Sequence, residues 1–138
     1  MGVIRVLPDD RIETLLREAV IARLACCAHE AGARPYLVPL PCFYDGESLV
    51  ALSGPGTKIR MMRANPLVTI EVDTGEASDR WSSVIAEGVY EEIEAPEERV
   101  RALATIQAAT GEEPVLEAQT MLFRIRLTAR SGRYELPE

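Results

Sequence analysis

The feature that most restricts how this chain can fold is Ser53-Gly54-Pro55-Gly56-Thr57-Lys58, a glycine-rich turn between a strand pattern and a helix pattern. Three strand-like segments precede it, at residues 22–29, 35–44 and 48–52; the last two are joined by the hairpin signal Asp45-Gly46. A short helical pattern follows over Thr57–Ala64 and is stopped by Asn65-Pro66. Glycines let a ligand come close to the backbone, and the free N–H groups of a helix start attract anions. Thr57 adds a hydroxyl and Lys58 a charge. Two readings fit the spacing: a cradle for a phosphorylated cofactor, or a plain strand-to-helix loop with a solvated lysine. A Walker A motif does not fit, because it needs Gly-Lys-Ser/Thr after a longer gap and the order here is Gly-Thr-Lys.

The 138 residues, 47% hydrophobic and 27% charged, suit one globular domain with a modest core, so residues 1–138 are read as a single domain. The net charge of −7 repels nucleic acid but leaves room for a small anion at Lys58, Arg60 and Arg63. No apolar run approaches the roughly 20 residues of a membrane span, and no signal-peptide pattern opens the chain, so no membrane partner and a cytoplasmic location are expected. The three cysteines, Cys26, Cys27 and Cys42, lack zinc or disulfide spacing; no metal is expected, and one of the adjacent pair should face a core. His29, the single histidine, reads as a polar residue beside a turn, which disfavours a Ser-His-Asp triad.

Asp9–Glu18 reads as a helix capped by Asp9 or Asp10, with Ile12, Leu15, Leu16 and Ala19 on one face. The prolines Pro35, Pro39 and Pro41 put their strand at an edge, a bulge or a site, since proline cannot donate to a ladder. In the 57–64 helix, Ile59 and Met62 or a neighbouring methionine should be buried. Residues 67–72 alternate as a strand, 73–80 read as a polar loop, and 81–92 read as a long strand that Gly88 allows to bend or bulge. Pro96, Glu97 and Glu98 open another helix, which Val100, Leu103, Ala104 and Ile106 or Gln107 continue. Residues 119–129 alternate cleanly, and the tail is polar. This order suits a mainly β, α+β fold, an antiparallel barrel with peripheral helices, rather than a doubly wound parallel sheet.

The run RPYLVPLPCFYDGESLVALSGPGTKIRMMRANPLVTIEVD, followed by WSSVIAEGVYEEI, resembles the pyridoxamine 5'-phosphate oxidase-like, flavin-binding split-barrel superfamily, and within it the nitroimidazole-resistance-type branch. The resemblance implies a six-stranded antiparallel split barrel that forms a homodimer with FMN at the subunit interface. It further implies a flavin-dependent oxidoreductase acting on a small molecule, or else a non-catalytic flavin-binding sensor. Carried over by position, Thr57 and Lys58 hold the FMN phosphate at the helix start, with Ser53 at the end of the strand before it. Ser83, with Ser82 as the alternative, lies on the neighbouring strand near that phosphate, and Trp81 lines the site or the dimer contact. Val38, Pro39, Leu40 and Pro41 pass beside the flavin ring, with Cys42 close by. Arg60 and Arg63 are weaker candidates. Relatives that bind a deazaflavin or haem supply alternative cofactors.

Two departures narrow the expectation. Nitroimidazole-resistance-type relatives often carry a histidine just before the glycine loop, where this chain has Leu52-Ser53, so nitroimidazole reduction is not expected. The chain ends SGRYELPE, without the histidine that accompanies a phosphate-binding arginine in the oxidases themselves, so pyridoxal phosphate synthesis is not expected either.

Overall fold

A computed structural model describes residues 2–138. Among these residues the order is β1 (Val3–Val6), α1 (Asp9–Glu18), β2 (Ile21–Cys26), β3 (Tyr36–Pro41), β4 (Phe43–Tyr44), β5 (Ser48–Ser53), α2 (Thr57–Ala64), β6 (Leu67–Ala77), β7 (Arg80–Glu92), α3 (Pro96–Thr110) and β8 (Met121–Leu136). The strands form one antiparallel sheet in the order β3-β2-β6-β7-β8-β5-β4, with β1 on the far half of β8. The two ends of this path, β3 and β4, are consecutive in the chain, so the sheet curls back on itself as a half barrel. The expected split barrel is therefore present.

The strand count differs from the expected six. The proline-bearing strand at 35–44 is broken at Cys42 into β3, which pairs with β2, and β4, which pairs with β5. The Cys42 N–H donates to the Val20 carbonyl at 3.1 Å, at the point where the chain changes partner. Strand β1 is the other addition. It pairs with the supposedly polar tail, which is in fact the second half of β8. The 73–80 loop is likewise mostly strand: β6 runs to Ala77 and β7 begins at Arg80. Cross-strand pairing overrides the low β propensity of these polar stretches, because each strand only has to match an existing edge.

Alternation drives the packing. Leu24, Ile70, Val72, Val84, Ala86, Phe123 and Ile125 point into the barrel with Leu16 of α1, all at 1% exposure or less. Phe123 stacks at a tilt on Tyr90, with ring centroids 5.2 Å apart. The opposite face of β5 and β8 puts Val50 and Leu122 under Ala102 and Ile106 of α3. Leu103 packs partly buried against this cluster, while Val100 is exposed. Helix α1 starts after Pro8 without a side-chain cap; Asp9 and Asp10 lie in its first turn, where they favour the helix dipole instead. Of the adjacent cysteines, Cys26 is buried and Cys27 exposed, as alternation requires.

At one end of the barrel, the Tyr44 hydroxyl donates to Glu13 Oε2 at 2.6 Å and lies 2.8 Å from the Gly46 carbonyl oxygen. Arg130 bonds Glu13, and the guanidinium groups of Arg17 and Arg130 lie 5.2 and 5.8 Å from the Tyr44 ring centre. These contacts tie α1, the β4–β5 turn and β8 together, which no single segment shows.

Gly88 is demanded by packing. The β7–β8 register slips between Glu87 and Gly88, leaving Thr128 as the extra residue of a bulge. A Cβ at Gly88 would overlap Ile125 Cγ2 and lie 3.0 Å from the Arg126 carbonyl oxygen. Gly88→Val should cost about 1–3 kcal/mol in denaturant unfolding; unchanged stability would show that the sheet yields at the bulge.

On the outer face, Glu71 stands opposite Arg23 of β2 and Ile85 of β7. Burial first, then the neighbouring Asp73 carboxylate, push the Glu71 carboxyl up to about 7, while Arg23 opposes the shift. An acid whose pKa is raised on folding keeps its proton while the unfolded chain has lost it. Stability therefore falls as pH rises from about 4.5 to about 7. Glu71→Gln should raise the Tm at pH 8 and leave it unchanged at pH 4; a pH-independent difference would contradict this assignment.

Candidate functional site

Strand β5 carries the chain straight from the core to the glycine loop. Leu49, Val50 and Ala51 are buried, Ser53 is half-buried, and Gly54 and Pro55 are exposed. The Ser53 hydroxyl donates to the Gly54 carbonyl at 2.8 Å. Gly56 flanks α2 without a side-chain cap, and the first helical bond runs from the Arg60 N–H to the Gly56 carbonyl at 3.1 Å. The N–H groups of the first turn therefore have no intrahelical acceptor and add the positive end of the helix dipole.

The loop glycines have no internal reason to be glycine. Neither lies in the left-handed region that favours glycine, and Gly56 is extended. A Cβ built at Gly54 or Gly56 would meet nothing within 4 Å. What these glycines provide is bare backbone facing open space. Around it stand the Thr57 hydroxyl, the Lys58 amine and Arg60, whose Nη2 donates to Thr57 Oγ1 at 3.2 Å. Lys58 enters no ion pair among the described residues. These residue types suit a phosphate: backbone N–H groups, a hydroxyl and two cationic residues lie within the first turn of one helix.

The far end of α2 is fixed, which holds the cradle still. Ile59 and Met62 are buried as expected. The Asn65 side chain donates to the Cys27 carbonyl at 3.1 Å and accepts from the Leu67 N–H at 3.2 Å. His29 Nε2 donates to the Ala64 carbonyl at 3.2 Å, so the histidine serves the helix end and the turn beside it. Arg63 does not join the expected cationic cluster. Its guanidinium is bonded to Glu92, which also accepts from the Tyr90 hydroxyl, and the Arg63 contact holds the Glu92 carboxyl below its ordinary range.

The β3 edge reaches the same place. Phe43 pairs with Val50, so continuing the register puts Pro41 across from Leu52, and β3 lies against β5. The structure thus brings Pro41 beside Leu52, the residue before Ser53, with Val38, Pro39 and Leu40 following along β3. Leu40 turns inward and is buried, Val38 is half-buried, and Pro39 and Pro41 face outward. The position of β3 at the end of the hydrogen-bonded path accounts for its prolines. Cys42 is enclosed, and burial raises its thiol to about 11, so it is no thiolate at neutral pH.

Beside this edge runs a groove of about 350 Å³, between Pro41, Phe43 and Leu52 on the sheet and Ile106 and Thr110 of α3, closed by the segment at 112–115. Sequence reasoning missed this groove. Its two walls are more than fifty positions apart in the chain, and no local pattern links them. A larger cleft of about 600 Å³ also touches α3, but it shares no residue with the cradle or with β3, and its Glu98 and Arg124 already pair with each other.

Trp81, Ser82 and Ser83 are not brought to the cradle of their own chain. Ser53 pairs with Met121 at one end of β8, whereas Trp81 pairs with Glu135 at the other. Fourteen residues of strand separate those positions, on the order of 45 Å. The part of β7 near α2 is instead Tyr90 and Glu92. Trp81 Nε1 donates to Glu135 Oε1 at 3.0 Å, and the other oxygen of this buried carboxylate accepts from the Gly2 N–H at 2.8 Å. A separate hollow of about 300 Å³ lies over Trp81, Ser82, Arg80 and Gly75.

Comparison with known proteins agrees with this architecture. The chain is 32% identical over 108 residues to an uncharacterized protein of Rhizobium meliloti, covering 75% of this chain and 70% of that protein. A crystal structure of an FAD-binding protein from Mesorhizobium loti superposes with a TM-score of 0.77 at 35% identity, covering 96% of this chain and 98% of that one. A candidate 5-nitroimidazole antibiotic resistance protein from Bacteroides thetaiotaomicron superposes with a TM-score of 0.82, covering 97% and 89%; at 23% identity it shows the shared fold alone. A family model described as pyridoxamine 5'-phosphate oxidase matches residues 8–134. With the curled antiparallel sheet and nearly the whole chain inside that match, the protein belongs to the pyridoxamine 5'-phosphate oxidase family.

Proposed function

We propose that the protein binds a flavin nucleotide by its phosphate at Gly54, Gly56, Thr57 and Lys58, and that it acts as a flavin-dependent oxidoreductase on a small molecule. The observation that carries the reading is the bare glycine backbone at an uncapped helix start, flanked by a hydroxyl and by a lysine that enters no ion pair among the described residues. Family membership and the FAD-binding relative at 35% identity support a flavin over other phosphorylated ligands. The residues present fit such a group. The cradle supplies charge and N–H donors for the phosphate, and the edge of β3, with Pro39 and Pro41 outward, offers a flat surface with few donors to a ring. A bound flavin supplies the redox chemistry, so the chain needs no nucleophile–base pair of its own. FMN, with one phosphate, is the form that the single cradle accounts for; FAD is the second reading, favoured by the Mesorhizobium loti relative.

The separation of residues 81–83 from the cradle supports a site shared by two subunits. Trp81, Ser82 and Ser83 can serve a ligand at Thr57 and Lys58 only from a second copy of the chain. A homodimer is the assembly that this reading requires, and a cytoplasmic location is part of the same proposal.

Lys58→Ala should weaken FMN at least ten-fold in a fluorescence titration. Gly56→Ala should weaken it too, while leaving the Tm unchanged or slightly raised, because the added methyl meets no protein atom. Wild-type affinity in both variants would remove the phosphate from this loop. Tighter retention of FAD than of FMN would select the second reading.

The shared site has its own test. Lys58→Ala and Ser83→Asp homodimers should each bind flavin poorly, whereas refolding the two together should restore tight sites in the mixed dimers. A mixture that stays as weak as its parents would place the whole site in one chain.

A further inference from the structure

We propose that the groove between β3–β5 and α3 binds an apolar organic cation, such as an aryl-substituted amine, and rejects phosphorylated and carboxylate ligands; as the substrate subsite beside the flavin, it rests on the reading above. The groove has an apolar floor of Phe43, Leu52 and Ile106 and holds about 350 Å³, room for a bicyclic ring. Its outer wall is the segment after α3, started by the left-handed Gly111 at φ 77° and pinned by Thr110, whose hydroxyl bonds the Ile106 and Glu112 carbonyls.

Charge decides the class of occupant. The lining contains Glu112 and Glu113 and no lysine, arginine or histidine. Neither carboxylate enters an ion pair or a side-chain hydrogen bond among the described residues, so both are free to meet a ligand. The wall also carries Val115, 87% exposed, an apolar side chain with nothing of its own chain to cover it. The cations of the region, Lys58 and Arg60, stand beyond Ser53 at the cradle. The two ends of the site are therefore opposite in charge: an anion is drawn to the helix start and a cation to the groove, with Pro41 and Leu52 between them. A phosphate in the groove would face two carboxylates and no counter-charge.

The test compares three isosteric probes by calorimetry and ligand-observed NMR, on flavin-free and FMN-loaded full-length protein: 2-naphthylmethylamine, 2-naphthalenemethanol and 2-naphthoate. The amine should bind about three- to ten-fold more tightly than the alcohol, the range that two exposed carboxylates supply, and the naphthoate least tightly. Glu112→Gln combined with Glu113→Gln should abolish the preference for the amine while leaving alcohol affinity, FMN affinity and Tm unchanged. Val115→Arg, at an exposed position that folding does not need, should weaken the amine selectively. Equal binding of amine and alcohol, or a preference that survives the double substitution, overturns the proposal. The two readings fail separately. Loss of FMN binding with the amine preference intact in flavin-free protein refutes the flavin site and upholds the groove. FMN binding without the preference refutes the groove alone.

Discussion

Strand β8 is the member to which the rest of the sheet is bound. It pairs with β7 on one side from Phe123 to Glu135; on the other side the first part holds β5 and the last part holds β1. Because one strand fixes both halves, its register sets where everything else can stand. It sends β5, and with it the glycine loop, out at the Met121 end, and it anchors Trp81 at the Glu135 end. The bulge at Thr128, opposite Gly88, lets so long a pairing curl into a half barrel while Ile125 and Leu127 still face inward.

The cradle depends on this arrangement through α2. The helix is only eight residues long, too short to be stable alone. Ile59 and Met62 in the core, and Asn65 and His29 at its end, hold it to β2 and β6. Its start can then remain uncapped and open, with its donors unused. Stability is invested at one end of the helix and binding capacity kept at the other, as expected where a ligand supplies the missing cap.

The chain is acidic, with net charge −7, and several of its arginines are neutralised locally. Arg63 is matched by Glu92, Arg124 and Arg126 by Glu91, and Arg130 by Glu13. Lys58 and Arg60 have no such partner among the described residues. The field at the helix start is thus local and unopposed at short range, which matters more to a bound phosphate than the overall charge does.

Much of the fold was legible in the chain itself. The period-two alternation at 119–129, the Asp45-Gly46 hairpin, the prolines of an edge strand and the 3.6-residue pattern of α1 are local signals, and each specifies local conformation directly. The Ser53–Lys58 spacing marked the glycine turn and the start of α2 for the same reason, since both lie within six residues. The sequence could not show that the polar stretches at 73–77 and 130–136 are strands, because a strand that adds to an existing edge takes its hydrogen bonds from its neighbour rather than from its own composition. Nor could it show that Arg63 is spent on Glu92, that Trp81 and Lys58 stand at opposite ends of the sheet, or that Pro41 and Val115 share a groove. Those facts depend on register and on contacts between distant segments. Local pattern determined the elements and the glycine turn; only the pairing of β8 with its neighbours decided which of them meet.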